Sequence, residues 1–188
     1  MDTCDVPEPE WTGTLQPSDQ ESREITRTLA GVDIFSSLSP RELRLIKRIV
    51  HRRTYHSHEV IVRQGTPGLG MYMIQSGSAK VLLEAGDGRI TELATLGPHQ
   101  FFGEMSLLLG APRAASVVAA ERSEIIGFFQ ADLLGLSDRW PELGFRIIYR
   151  LSQVINQRLN ETKEELKRVR QAVRKTSVPA EGDMAGFL

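Results

Sequence analysis

Between Arg53 and Phe129 the chain never keeps an apolar stretch long enough for a helix. Short apolar runs are cut by Gly65-Thr66-Pro67-Gly68-Leu69-Gly70, by Ser76-Gly77, by Gly86-Asp87-Gly88 and by Gly97-Pro98. Glycine and proline at such spacing punctuate strands, because proline lacks the ladder N–H and glycine takes the turn conformations. The strands this predicts are Val60–Arg63, Met71–Gln75, Ser78–Glu84, Arg89–Leu96, Arg113–Ala120 and Glu124–Phe129. Short strands at near-regular spacing fit an antiparallel barrel or jelly roll.

One segment breaks the series. From Phe102 to Val117 the sequence reads as a strand end, Gly103, a short apolar helix, a Gly110-Ala111-Pro112 turn, and Arg113 entering the next strand. Gly103 allows close backbone approach to a ligand. A helix start exposes unpaired N–H groups that favour negative charge. Arg113 stays charged and can fork onto two phosphate oxygens. Glu104 would repel a phosphate, so its use beside one is to accept hydrogen bonds from a sugar hydroxyl.

The flanks differ from this middle. Residues 1–24 hold seven acids against Arg23 and three prolines, so a disordered acidic tail is expected over residues 1–30, with Trp11 its one large apolar side chain. Ser39 with Pro40 marks the start of a helix to Val50, with Leu43, Ile46, Ile49 and Val50 on one face. The roll then spans 31–139, and Ala131–Leu136 is a second short helix. A long helix is predicted from Pro141 to Lys175, within a segment 140–175, and a tail over 176–188. Its first half carries Phe145, Ile148, Leu151 and Ile155. Its second half carries Leu159, Thr162, Leu166, Val169 and Val173 at spacings 3, 4, 3, 4, a coiled-coil seam with a stutter near Ile155 to Leu159. Residues 158–175 hold seven bases and three acids. Attraction between the acidic tail and this basic stretch would let the tail mask the helix. The bases themselves read as a solvated helix end.

Composition narrows the function. A net charge of −1 argues against a protein built to coat nucleic acid or anionic membrane. The single cysteine, Cys4, makes no internal disulfide, which points to a reducing cytoplasm. No apolar run approaches a membrane span, and no signal peptide opens the chain. Neither paired carboxylates nor a Ser-His-Asp set suggests catalysis. His56-Ser57-His58-Glu59 has a cupin flavour, but the acid follows at once and no second motif appears, so an exposed hairpin is expected and no metal.

The run Phe102-Gly103-Glu104 through Pro112-Arg113-Ala114-Ala115-Ser116-Val117 closely resembles the phosphate-binding cassette of cyclic-nucleotide-binding domains, above all that of cyclic-AMP-dependent protein kinase regulatory subunits. Phe35-Ser36-Ser37-Leu38-Ser39 resembles the opening helix of these domains, and Gln64-Gly65 with Met71–Gly77 resembles their strands. The resemblance covers roughly residues 30 to 165. It implies a mainly β fold, an antiparallel β-roll with an N-terminal helix, a cassette helix and a long C-terminal helix. It implies that Gly103, Ser106, Arg113 and Ala114 hold a cyclic phosphate and that Glu104 holds the ribose. Val81, Leu93 and Ala115 would then wall the purine. Ala114, which has no hydroxyl, leans the choice to cyclic AMP, with cyclic GMP still open.

The C-terminal helix resembles the dimer helix of catabolite activator proteins. Thr162 matches a threonine that touches adenine there, but Lys163 stands where they carry a serine. About a dozen residues follow the helix, no room for their helix-turn-helix, so direct DNA binding is not expected. The expectation is a cytoplasmic regulatory sensor without catalysis, homodimeric or offering its helix to a partner protein. Two rivals stand beside it: a nucleotide-blind interaction module of the same fold, and a cupin-like metalloenzyme.

Overall fold

The computed structural model of the protein describes residues 18–176, with side chains through Gln171. The chain divides into two units, one ending at Leu151 and one starting at Ser152. In chain order the elements are α1 (Asp19–Gly31), α2 (Pro40–Lys47), β1 (His51–Tyr55), β2 (Val60–Val62), β3 (Gly70–Ser76), β4 (Ala79–Glu84), β5 (Ile90–Leu96), β6 (Phe101–Phe102), α3 (Glu104–Leu109), β7 (Ser116–Ala119), β8 (Ser123–Phe129), α4 (Gln130–Arg139) and α5 (Pro141–Thr176). The helix α5 begins in the first unit and supplies the described part of the second.

Two antiparallel sheets make the roll, in the orders β1-β8-β3-β6 and β2-β7-β4-β5. Their inner faces share one core containing Tyr55, Ile61, Tyr72, Ile74, Val117 and Ile125. Side chains alternate along a strand, so Met71, Met73, Ile126 and Phe128 lie on the other face of the first sheet, and all four are fully buried. The helical layer covers that face, with Phe35 meeting Phe128 edge-on at 5.9 Å between ring centroids. Burial on both faces is why β3 and β8 read as unbroken apolar runs. Truncating one of these side chains to alanine costs about 2–5 kcal/mol.

The mainly β architecture with flanking helices is the one expected, and the differences are local. The tail expected to residue 30 is helix from Asp19. Ser18 forms a capping box with Glu21, its N–H donating to Glu21 Oε2 at 2.8 Å, and Ile25, Thr28 and Leu29 are buried. That box and the apolar spacing behind it outweigh the acidic composition. Residues 1–17, with Trp11 and Cys4, and residues 177–188 lie outside the described residues. The strand β1 has no counterpart among the expected ones. Its His51-Arg52-Arg53-Thr54 run is half-buried, at the sheet edge beside β8, where Arg52 Nη2 reaches Glu124 at 2.8 Å. A polar edge strand carries little apolar pattern to read.

On α5 the buried side chains of the first unit are Leu143, Ile147 and Leu151, whereas Phe145 is 67% and Ile148 40% exposed. Leu151 thus belongs to the core face. With it removed from the seam, Phe145, Ile148, Ser152, Ile155, Leu159, Thr162, Leu166 and Val169 follow at spacings 3, 4, 3, 4, 3, 4, 3 with no stutter. Within the second unit Leu159, Leu166 and Val169 are about half exposed.

Candidate functional site

The cassette segment leaves β6 at Phe102 and turns on Gly103, whose φ of 81° is left-handed. Glycine is required there for a second reason. A Cβ on Gly103 would stand 2.4 Å from Arg113 Nη1 and 2.9 Å from the Gly70 carbonyl oxygen. The chain then makes α3 and returns through Gly110-Ala111-Pro112 to Arg113.

Arg113 is held at backbone and side chain alike. Its N–H donates to Thr66 O at 2.9 Å, and its carbonyl accepts from Gly65 N–H at 2.8 Å. The side chain is 5% exposed. Nη1 donates to the Gly70 carbonyl at 2.8 Å, and Nη2 donates to the Tyr72 hydroxyl at 3.3 Å. The guanidinium carbon lies 5.1 Å from the centroid of the Tyr72 ring. Among the described residues no carboxylate forms an ion pair with it. A buried cation without a counter-ion is costly, and the two side-chain hydrogen bonds of Arg113 go to neutral acceptors.

Arg113 lines a cavity of about 190 Å³, together with Val62, Val81, Phe102, Gly103, Glu104, Met105, Ser106, Ala111, Pro112, Ala114, Ala115 and Val117. One wall is therefore cassette and the other is the sheet formed by β2, β4 and β7. Glu104 is half-buried at this lining, and Ala114 is exposed beside Arg113. Ser106 is 3% exposed; its N–H donates to Gly103 O at 3.1 Å and its hydroxyl to Ala111 O at 3.0 Å. The hydroxyl ties the start of α3 to the returning loop, and a ligand contact at this residue has to share the N–H. Gly68 makes the tie possible, since a Cβ there would stand 2.3 Å from Ser106 Oγ.

The structure brings Val81, Gly103, Glu104, Ser106, Arg113, Ala114 and Ala115 to one cavity. It does not bring Leu93, which is 55% exposed and absent from the lining. Val81 pairs with Ala94 and Leu82 with Glu92, so Leu93 is the extra residue of a β-bulge, without a partner position on β4. Thr162 lies in the second unit, exposed, with its hydroxyl donating to Arg158 O at 2.9 Å. Tyr72 and Gly70 were not among the expected site residues. A backbone carbonyl leaves no mark in sequence, but a tyrosine inside the run Met71-Tyr72-Met73-Ile74 is a signal, since its hydroxyl needs a partner when buried.

The segment His56–Glu59 is exposed over its histidines but is not the hairpin expected, because it links β1 to β2 and these strands lie in different sheets. Glu59 Oε1 accepts from Arg53 Nη2 at 2.9 Å and Glu59 Oε2 from the His56 N–H at 2.9 Å. Among the described residues no group of three His, Cys, Asp or Glu side chains is placed to hold a metal ion. Nor, among them, is any helix long and apolar enough to cross a membrane.

Comparison with known proteins matches residues 52–139 to the model of the cyclic nucleotide-binding domain. The Cyclic AMP receptor protein of Thermus thermophilus is 35% identical over 138 residues, 73% of this chain and 62% of that protein. The crystal structure of the Thermus thermophilus Catabolite Activator Protein matches with a TM-score of 0.66 at 34% identity, again over 73% of this chain and 62% of that one. A cyclic nucleotide-binding domain from Methylobacillus flagellatus shares the fold, with a TM-score of 0.70 at 23% identity over 89% and 90% of the two chains. The chain thus spans under two thirds of the length of its Thermus relative.

Proposed function

We propose that this chain, which belongs to the cyclic nucleotide-binding domain family, is a sensor that prefers cyclic AMP and reports through α5. The observation that carries the reading is Arg113, a buried guanidinium that forms no ion pair with a carboxylate among the described residues, set in the wall of a cavity that Glu104 also lines. A cyclic phosphate is the counter-ion it lacks. Two of its N–H groups are spent on Gly70 and Tyr72. The Nε–H and one hydrogen on each terminal nitrogen remain for a forked contact with two phosphate oxygens. Glu104 accepts from the ribose 2′-hydroxyl, and Ala114 adds its N–H to the phosphate. Val81 and Ala115 pack on the purine.

The absence of a hydroxyl at Ala114 and the Thermus relative's name both favour cyclic AMP over cyclic GMP. The proposed output is mechanical rather than catalytic, in a reducing cytoplasm: ligand binding shifts the packing of α5 only as far as the two states differ in affinity. A strict 3.5-residue seam asks for a partner helix, so α5 pairs with a second copy or with another protein.

Calorimetric titration of the full chain, freed of carried-over ligand, tests this reading. Saturable binding of cyclic AMP, with cyclic GMP weaker, is expected. A folded protein that binds neither nucleotide would overturn it in favour of a nucleotide-blind interaction module.

A further inference from the structure

We infer that Tyr72 is a positioning residue for ligand recognition: it does not touch the nucleotide but aims the Arg113 guanidinium at the phosphate. The inference rests on the cyclic-nucleotide reading of the cavity and names a residue which that reading does not contain.

Tyr72 is absent from the cavity lining and is 5% exposed, behind Arg113. It meets the guanidinium in two ways, with its hydroxyl at 3.3 Å from Nη2 and its ring centroid at 5.1 Å from the guanidinium carbon. The Gly70 carbonyl, two positions earlier on the same strand, takes Nη1 at 2.8 Å. Two acceptors on one strand and a ring against the planar group fix its position and its rotation. One acceptor alone would leave it free to turn about a single hydrogen bond.

The tyrosine itself has little room to move. It sits on a central strand, paired with Gly127 of β8 on one side and Phe102 of β6 on the other. Its ring stacks on Phe102 at 5.3 Å and meets Phe129 edge-on at 6.1 Å. Phe102 immediately precedes Gly103, so the strand paired and stacked against the tyrosine leads directly into the cassette. Phenylalanine would fill the same space. A phenol in this core is costly unless its hydroxyl is bonded, and the bond to a buried cation accounts for its presence.

The test is Tyr72→Phe, which keeps the ring and removes the acceptor. Its dissociation constants are measured for cyclic AMP and for the two phosphorothioate diastereomers of cyclic AMP. Each diastereomer replaces a different exocyclic oxygen with sulfur, so the ratio of their affinities reads how the guanidinium is aimed. The ligand-free melting temperature is measured alongside. Expected are a loss of cyclic AMP affinity of about three- to tenfold, from losing one long bond to a charged group, a narrowed ratio between the diastereomers, and a ligand-free melting temperature lowered by no more than several degrees, so that the variant stays folded. Two results with Tyr72→Phe would overturn the inference and leave the sensor reading intact. One is affinity within about twofold of the parent; the other is weaker affinity with the diastereomer ratio unchanged, the mark of a merely structural role. A parent that binds no cyclic nucleotide would overturn both.

Discussion

Replacing Gly103 with alanine separates backbone strain from the close approach that the site requires. The backbone at Gly103 has φ 81°, where an L-residue costs roughly 1–2 kcal/mol. The added Cβ would also lie 2.4 Å from Arg113 Nη1, so the guanidinium must leave the Gly70 carbonyl. Losing a hydrogen bond to a charged group costs about 1.5–3 kcal/mol. The sum is roughly 2.5–5 kcal/mol, a large share of the stability of an ordinary domain. Gly88 supplies the control: its φ is also 81°, but a Cβ there meets nothing within 4 Å. Gly88→Ala should therefore lose only the backbone share, roughly 1–2 kcal/mol. Urea denaturation of both variants without ligand measures the two quantities, and titration with cyclic AMP measures the displaced arginine. If Gly103→Ala and Gly88→Ala were equally destabilised and bound ligand equally well, the close packing of Arg113 on Gly103 would play no part.

Two further predictions concern the helices. Glu42 has its carboxyl pKa lowered from 4.5, first by the Ser39 backbone N–H that donates to it, then by the Ser39 hydroxyl and Arg146. A depressed folded value means that its stabilisation is complete above the unfolded pKa and is lost as pH falls through the folded one. Glu42→Gln should therefore lose less stability than the parent as pH is lowered below about 4.5, read by urea denaturation at stepped pH; equal losses would contradict this. On the seam, Leu166→Glu should convert a dimer to a monomer in sedimentation velocity and leave the melting of the first unit unchanged. A parent that is already monomeric with or without cyclic AMP would refute pairing with a second copy.

How much of this was legible in the sequence depended on whether a residue's role is written in its own type. Arg113, Glu104 and Gly103 announce themselves, because a cation, a carboxylate and a glycine at fixed offsets have few common explanations. The interior strands were readable from apolar runs, as with Met71 to Ile74. β1 was not, since edge residues such as Arg52 gain their place from Glu124 and Glu21, partners distant in sequence. The capping box of Ser18 and Glu21 was there to be read, but the acidic residues around it gave the segment the composition of a tail. Leu93 looked equivalent to Val81 because no pattern reveals a bulge. On α5, the assignment of Leu151 to the seam hid the regularity of the repeat, which burial of Leu143, Ile147 and Leu151 restores.

The central claim is that Arg113 is the counter-charge of a cyclic phosphate. Titrating Arg113→Ala with cyclic AMP, beside the parent and with folding checked by circular dichroism, tests it most directly. Loss of a forked, desolvated phosphate contact predicts affinity lower by about a hundredfold or more. A folded variant that binds cyclic AMP as tightly as the parent would contradict it.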